Sequence, residues 1–320
     1  MTTGRPSSRP SILAIHPGAL GDVILFGHLL LRLAGRVTLA AGGEKARLLA
    51  GARVVAGVLN FEAMPMHEVF GDRAPDECRL PAMLGRHDRL ISCFGGGDSK
   101  AQGRLAAMCS CADAAFLPVR PPEGFRGHLL DLWSDLLGLP PLRGAGVRAW
   151  HIPPAWRKAA RRELQKLGVP ARRPYVIVHP GSGSPEKCWP LENFEELAAR
   201  LTERAPGATV VFALGPVELE RWDGQTIERL RGHLPVMLSA PLEVLAGVLA
   251  SAAAYLGNDS GVSHLAAAAG TPTTALFASA RKGHFAPLGE PVRTVARRVL
   301  DDIKVGDVLD EVRAFLPEVT

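Results

Sequence analysis

Short apolar runs alternate along this chain with longer stretches whose apolar positions recur at helical spacing. Residues 12–15 form the first such run, followed by a glycine-containing turn and an apolar-periodic stretch over 23–33. That order predicts strand, glycine loop and helix. Residues 37–41 and 90–94 are expected to be further buried strands, with helices around 104–109 and 128–137. A second series begins with a strand at 175–179 and continues with a helix at 191–204, a strand at 209–214 and a helix at 242–253. It ends with a strand at 254–256, a helix at 262–269 and a strand at 274–277. Strands alternating with helices predict parallel, doubly wound sheets, and the second half repeats the architecture of the first.

Between the two series, residues 143–173 turn rich in Pro, Gly and Arg around one basic helix, which marks a domain boundary. The chain is therefore expected to divide into residues 1–155 and 156–300. A terminal helix in 301–320 follows, with a return onto the N-terminal domain as its expected packing. In open α/β sheets ligands bind beyond the carboxyl ends of the strands, so two such domains are expected to share a cleft lined by those loops.

Composition narrows the class without naming it. At 320 residues, 47% hydrophobic and 22% charged, the chain has the balance of a globular protein of two domains. A net charge of +5 is too small to argue for nucleic-acid binding. The basic residues cluster, however: Arg157, Lys158, Arg161, Arg162, Lys166, Arg172 and Arg173 stand against Glu163 alone. Such a run is either a solvated helix face or a surface for phosphates or an anionic membrane. The five cysteines are odd in number and lack paired spacing, so neither a disulfide framework nor a zinc site is expected. Residues 1–10 are polar, without the apolar core of a signal peptide, and predict a frayed leader and a cytoplasmic location. Residues 260–280 carry no Asp, Glu, Lys or Arg, but Gly270-Thr271-Pro272 breaks the run, which predicts helix, turn and strand in place of a membrane span.

The chemistry gathers at the predicted strand ends. After 175–178 comes His179-Pro180-Gly181-Ser182-Gly183-Ser184-Pro185-Glu186-Lys187. Small residues such as Gly183 let backbone approach a phosphate, the hydroxyls of Ser182 and Ser184 can donate, and Lys187 supplies positive charge. The spacing is not that of an NTPase phosphate loop, and a structural turn with an exposed lysine is the alternative. Glu218, after the next strand, can accept ribose hydroxyls or simply open a helix. Gly257-Asn258-Asp259-Ser260-Gly261-Val262-Ser263-His264 offers helix capping by Asp259 or Ser260 and N–H groups of Ser260, Gly261 and Val262 for a phosphate or sugar oxygen. His264, one turn inward, is either a hydrogen-bond partner for substrate or a buried core histidine.

In the first half, Gly18-Ala19-Leu20-Gly21-Asp22 turns a strand into a helix, with Asp22 either favouring the helix N-terminus or presenting a carboxylate to the cleft. The missing third glycine, and the lack of an acid at the end of the next strand, count against an NAD-dependent oxidoreductase. Gly95-Gly96-Gly97-Asp98-Ser99-Lys100 forms a second glycine loop, which lines an acceptor pocket or is merely flexible.

Four motifs in order resemble the ADP-heptose:lipopolysaccharide heptosyltransferases of glycosyltransferase family 9. They are Pro17-Gly18-Ala19-Leu20-Gly21-Asp22, the 179–184 loop with Lys187 and Trp189-Pro190, Gly215-Pro216, and the 257–264 motif with Gly270-Thr271-Pro272. The resemblance implies a GT-B fold and an inverting, metal-independent transfer from an ADP-sugar to a lipid-anchored inner-core saccharide, with peripheral contact to the inner membrane. It implies Asp22 as general base, and Lys187, Ser182 and the Ser260-Gly261 backbone around the diphosphate, with Asp259 on sugar hydroxyls. Gly21, Gly95 and Lys100 fall to the acceptor side. No D-x-D sequence occurs that would hold a metal-bound diphosphate. Departures stand at His16, where arginine is usual, at Ser92-Cys93-Phe94-Gly95, and at Ala278-Ser279-Ala280-Arg281-Lys282. They leave room for a nucleotide-sugar-binding protein without transferase activity.

Overall fold

The computed structural model describes residues 9–142 and 147–316. Most of the expected polar leader, and the start of the boundary segment at Arg143, lie outside them. The chain divides into two compact units, residues 1–125 with 129–142, and residues 126–128 with 143–320.

The first unit contains β1 (Ser11–Ile15), α1 (Leu20–Leu30), β2 (Arg36–Ala41), α2 (Gly43–Gly51), β3 (Gly57–Asn60), α3 (Leu80–Leu84), β4 (Arg89–Ser92), α4 (Ser99–Met108), β5 (Asp113–Phe116) and α5 (Leu129–Leu136). Its five strands are parallel, in the order β3-β2-β1-β4-β5. The chain thus runs outward from β1 in one direction and then returns to β4 on the other side. Leu13, Ile15, Leu90 and Leu105 form part of its core.

The second unit contains α6 (Pro154–Lys166), β6 (Tyr175–His179), α7 (Leu191–Arg204), β7 (Thr209–Leu214), α8 (Pro216–Arg221), α9 (Gly224–Arg231), β8 (Val236–Leu238) and α10 (Leu242–Leu249). It continues with β9 (Ala254–Asn258), α11 (Gly261–Ala268), β10 (Thr273–Ala278), α12 (Ser279–Phe285), β11 (Val292–Arg297) and α13 (Val305–Arg313). Six parallel strands follow the order β11-β10-β9-β6-β7-β8. The direction of winding reverses between β6 and β9, as it does between β1 and β4 in the first unit. Every residue of β6 and of β9 is buried, because helices cover both faces of a doubly wound sheet.

Two expected boundaries move. The division falls at residue 142/143 and not at 155/156, because the segment before α6 is bonded into the second unit: Trp150 N–H donates to Ala268 O at 2.7 Å. The terminal helix packs within its own unit. Val308, Leu309 and Val312 of α13 are buried in the second unit's core, and α13 packs on α7. The run at 260–280 divides into α11, a turn and β10, and no helix of the described residues is long and apolar enough to cross a membrane.

Helices α6 and α10 touch through Gly247, where a Cβ would lie 2.4 Å from the Trp156 carbonyl oxygen. Gly247→Ala is expected to lower the melting temperature, at a cost of about 1–3 kcal/mol, because backbone must shift. Gly103 in α4 has nothing within 4 Å of its would-be Cβ, so Gly103→Ala is expected to raise stability by about 0.5–1 kcal/mol. Thermal unfolding of both variants checks the pair.

Candidate active site

Winding reversals create the crevices in which open α/β sheets hold ligands. In the second unit, the loops after β6 and β9 lie side by side at such a reversal, and they carry the residues singled out by sequence. Asn258, fully buried at the end of β9, joins them: Oδ1 accepts from Trp189 N–H at 3.0 Å and Nδ2 donates to Pro180 O at 2.7 Å. Ser182 Oγ adds a second bridge, donating to Asp259 O at 2.7 Å. The hydroxyl expected to donate to an anion therefore spends its proton on the loop. Ser184 likewise donates to the Glu186 carboxylate. Gly183 contributes its carbonyl, which accepts from Arg221 Nη2 at 2.8 Å, while Arg221 Nη1 reaches Ser182 O at 3.1 Å. Arg221 escaped sequence reasoning because it stands at the far end of α8, outside any recognisable motif.

Glu218 is buried rather than a surface acid. Its Oε2 accepts from Gly215 N–H at 2.7 Å, so the carboxylate satisfies one of the otherwise unpaired N–H groups at the start of α8. Its Oε1 lies so close to Gly181 that a Cβ there would be 1.6 Å away. A side chain at 181 would therefore have to displace this buried carboxylate. Both residues line an open pocket with Pro180, Val217, Arg221 and Trp222.

Asp259 is the electrostatic centre. Its Oδ2 meets Lys187 Nζ at 3.3 Å and Arg281 Nε at 2.8 Å, and its side chain is only 9% exposed. Arg281 lies in the segment treated by sequence as a departure, and its partnership with Asp259 was missed because 22 residues separate them. Ser260 caps α11, its Oγ accepting from Ser263 N–H at 3.4 Å. The first-turn N–H groups of Gly261 and Val262 have no acceptor within the helix, which leaves them for a ligand. His264 is buried, and its Nδ1 has no hydrogen-bond partner among the described residues. Burial pulls its pKa down to about 4, against a raising influence from Asp259.

The first unit has its own reversal, at the carboxyl ends of β1 and β4. Gly21 and Asp22 stand in the first turn of α1, and Asp22 lies near enough to Cys93, just past β4, to help burial raise that thiol's pKa. His16 is buried against Phe26 and Trp133, accepts from Gly18 N–H at 3.0 Å through Nδ1, and is also held down to about pKa 4, chiefly by burial and then by Lys45. Lys45 Nζ donates to Gly18 O at 2.8 Å. Gly95 takes a positive φ of 79° in the following loop, and Lys100 pairs with Asp72 at 2.7 Å on the open surface. The structure therefore brings Gly21, Asp22 and the Gly95 loop to one end of the sheet, while Lys100 engages a surface aspartate.

Two histidines buried in the neutral form fix a pH dependence. Their folded pKa lies below the unfolded value of about 6.5, so the unfolded state binds more protons as pH falls, and stability is lost below that value. Each is expected to remove about 2 kcal/mol by pH 5. Thermal unfolding between pH 7.5 and 5 should show this decline, and His264→Gln should make it shallower. An unchanged slope in that variant would count against neutral burial of His264.

Comparison with known proteins places this geometry. The profile of glycosyltransferase family 9 (heptosyltransferase) matches residues 149–305. Lipopolysaccharide heptosyltransferase 3 of Escherichia coli K12 is 32% identical over 125 residues, which are 38% of this chain and 35% of the relative. The aligned region thus spans about a third of the length of the curated relatives that match. Among solved structures, a family 9 glycosyl transferase from Veillonella parvula superposes with a TM-score of 0.76 at 18% identity, covering 96% of this chain and 97% of the other. An E. coli ADP-heptose lipopolysaccharide heptosyltransferase II superposes at 0.67 and 18% identity, covering 95% and 98%. The fold is GT-B, with two parallel-sheet α/β units. Residues 149–305, which contain both loops of the β6/β9 reversal, are thus the part of the chain that matches glycosyltransferase family 9 (heptosyltransferase).

Proposed function

We propose that this protein transfers a sugar, heptose or a close relative, from an ADP-sugar to a saccharide of the lipopolysaccharide inner core, with inversion and without a metal ion. The observation that carries this reading is the β6/β9 reversal, where Lys187 meets Asp259 immediately before the start of α11 with its Gly261 and Val262 N–H groups. An E. coli heptosyltransferase of the same fold, at a TM-score of 0.67, is solved with ADP, which supports a nucleoside diphosphate as the guest.

In this reading the nucleoside occupies the pocket over Gly181, with Glu218 accepting ribose hydroxyls. The diphosphate lies against Lys187 and the start of α11. Asp259 Oδ1, which has no hydrogen bond among the described residues, accepts from the sugar. Asp22 removes the proton from the acceptor hydroxyl as that oxygen attacks the anomeric carbon. The bond from that carbon to the β-phosphate oxygen breaks, and ADP departs with its charge stabilised by Lys187 and the two backbone donors. His264, neutral at working pH, serves as a hydrogen-bonding neighbour rather than a charge. Gly21, Gly95 and Lys100 belong to the acceptor side. On α6, Lys158, Arg161 and Arg162 are exposed and have no ion pair among the described residues, which supports a cytoplasmic enzyme resting on an anionic membrane that carries the acceptor.

Asp22→Asn is expected to lower turnover by about a hundredfold or more while leaving ADP affinity unchanged. Lys187→Ala is expected to weaken ADP binding about tenfold or more. ADP release with donor and delipidated acceptor, together with calorimetric ADP titration, reads both. Full turnover in Asp22→Asn rejects the base; ADP binding with neither transfer nor hydrolysis in the native chain rejects the enzyme in favour of a binding protein.

A further inference from the structure

The guanidinium of Arg281 is only partly used by the protein. Nε holds Asp259 Oδ2 at 2.8 Å, and the Cζ atom lies 4.9 Å from the centre of the Phe285 ring one turn later in α12. The ring and the carboxylate together fix the plane of the group. Its two terminal nitrogens make no hydrogen bond among the described residues, and its side chain is 33% exposed. Four N–H donors in a fixed fork therefore remain available.

Charge points the same way. Lys187 and Arg281 converge on one carboxylate oxygen, so the cluster carries a surplus positive charge in a half-buried corner. That corner adjoins the α11 N-terminus, whose first-turn N–H groups attract anions. A carboxylate shared by two cations and flanked by free donors is built to receive further negative charge. Because a guanidinium matches phosphate oxygens two at a time, and a lysine acts as a point charge, the pair suits a guest with two adjacent phosphates.

We infer that Arg281 is a second phosphate-binding residue: its terminal amino groups take oxygens of the donor's terminal phosphate while Nε keeps Asp259 in register. The inference rests on the nucleoside diphosphate reading above and adds to it a preference set by this arginine, for diphosphate over monophosphate. Lys187 alone does not create that preference, since one point charge serves either guest.

Calorimetric titration of the full chain with ADP, AMP and adenosine tests this, using the native protein and Arg281→Gln, Arg281→Lys and Asp259→Asn variants. Arg281→Gln should weaken ADP by about ten- to a hundredfold and AMP by less than about threefold, with adenosine unchanged. Retained AMP and adenosine binding also shows that the variant is folded. Arg281→Lys should recover part of the loss, because charge returns without the fork. In the Asp259→Asn background the effect of Arg281→Gln on ADP should persist. Equal weakening of ADP and AMP, or disappearance of the effect without Asp259, overturns direct phosphate contact. A native protein that binds adenosine nucleotides with no gain from the second phosphate overturns it too, while one that binds none of the three removes the underlying donor reading as well.

Discussion

Asn258 holds together everything at the carboxyl end of the second sheet. One buried amide accepts from the Trp189 backbone and donates to Pro180, so two loops separated by about seventy residues share a single rigid support. Such a group is strongly specified, since loss of either bond would strand a buried polar atom at a cost of about 1–3 kcal/mol. The support matters because the strand order places those loops together only at the reversal between β6 and β9. Parallel winding creates the crevice, and Asn258 keeps its walls fixed.

Electrostatics is then arranged on that rigid base. Asp259 gathers Lys187 and Arg281, while Arg221 ties the glycine loop to α8 through two carbonyls. These cations do different work. Arg221 is consumed by loop carbonyls and fixes shape; Lys187 and Arg281 retain charge that the protein does not fully cancel. The hydroxyls of Ser182 and Ser184 belong with the shape-fixing group, since Ser182 donates across to the Asp259 carbonyl and Ser184 to Glu186 in its own loop.

Much of the fold was legible in the sequence because its central strands are buried on both faces. β1, β6, β7, β9 and β10 announce themselves as apolar runs bounded by Gly, Pro or polar turns. β3, β5, β8 and β11 did not, being the edge strands of their sheets and either short or only half-buried. Strand order was invisible, since no local pattern records which strands become neighbours. The same limit governs the site: Lys187, Asp259 and the α11 start were readable as motifs, whereas Arg281 and Arg221 acquire meaning only through partners distant in sequence. Glu218 was identified by position, but its burial against Gly181 follows from packing.

The indole of Trp189 reaches past its own loop to donate to Ile303 O at 3.1 Å, and its ring packs edge-on against Phe194. These two bonded residues stand 114 positions apart. During synthesis, therefore, the glycine loop leaves the ribosome long before the segment that anchors its tryptophan. The first unit can fold while the second is still being made, but the corner around Lys187 and Asp259 acquires its final footing only when α13 has closed over α7.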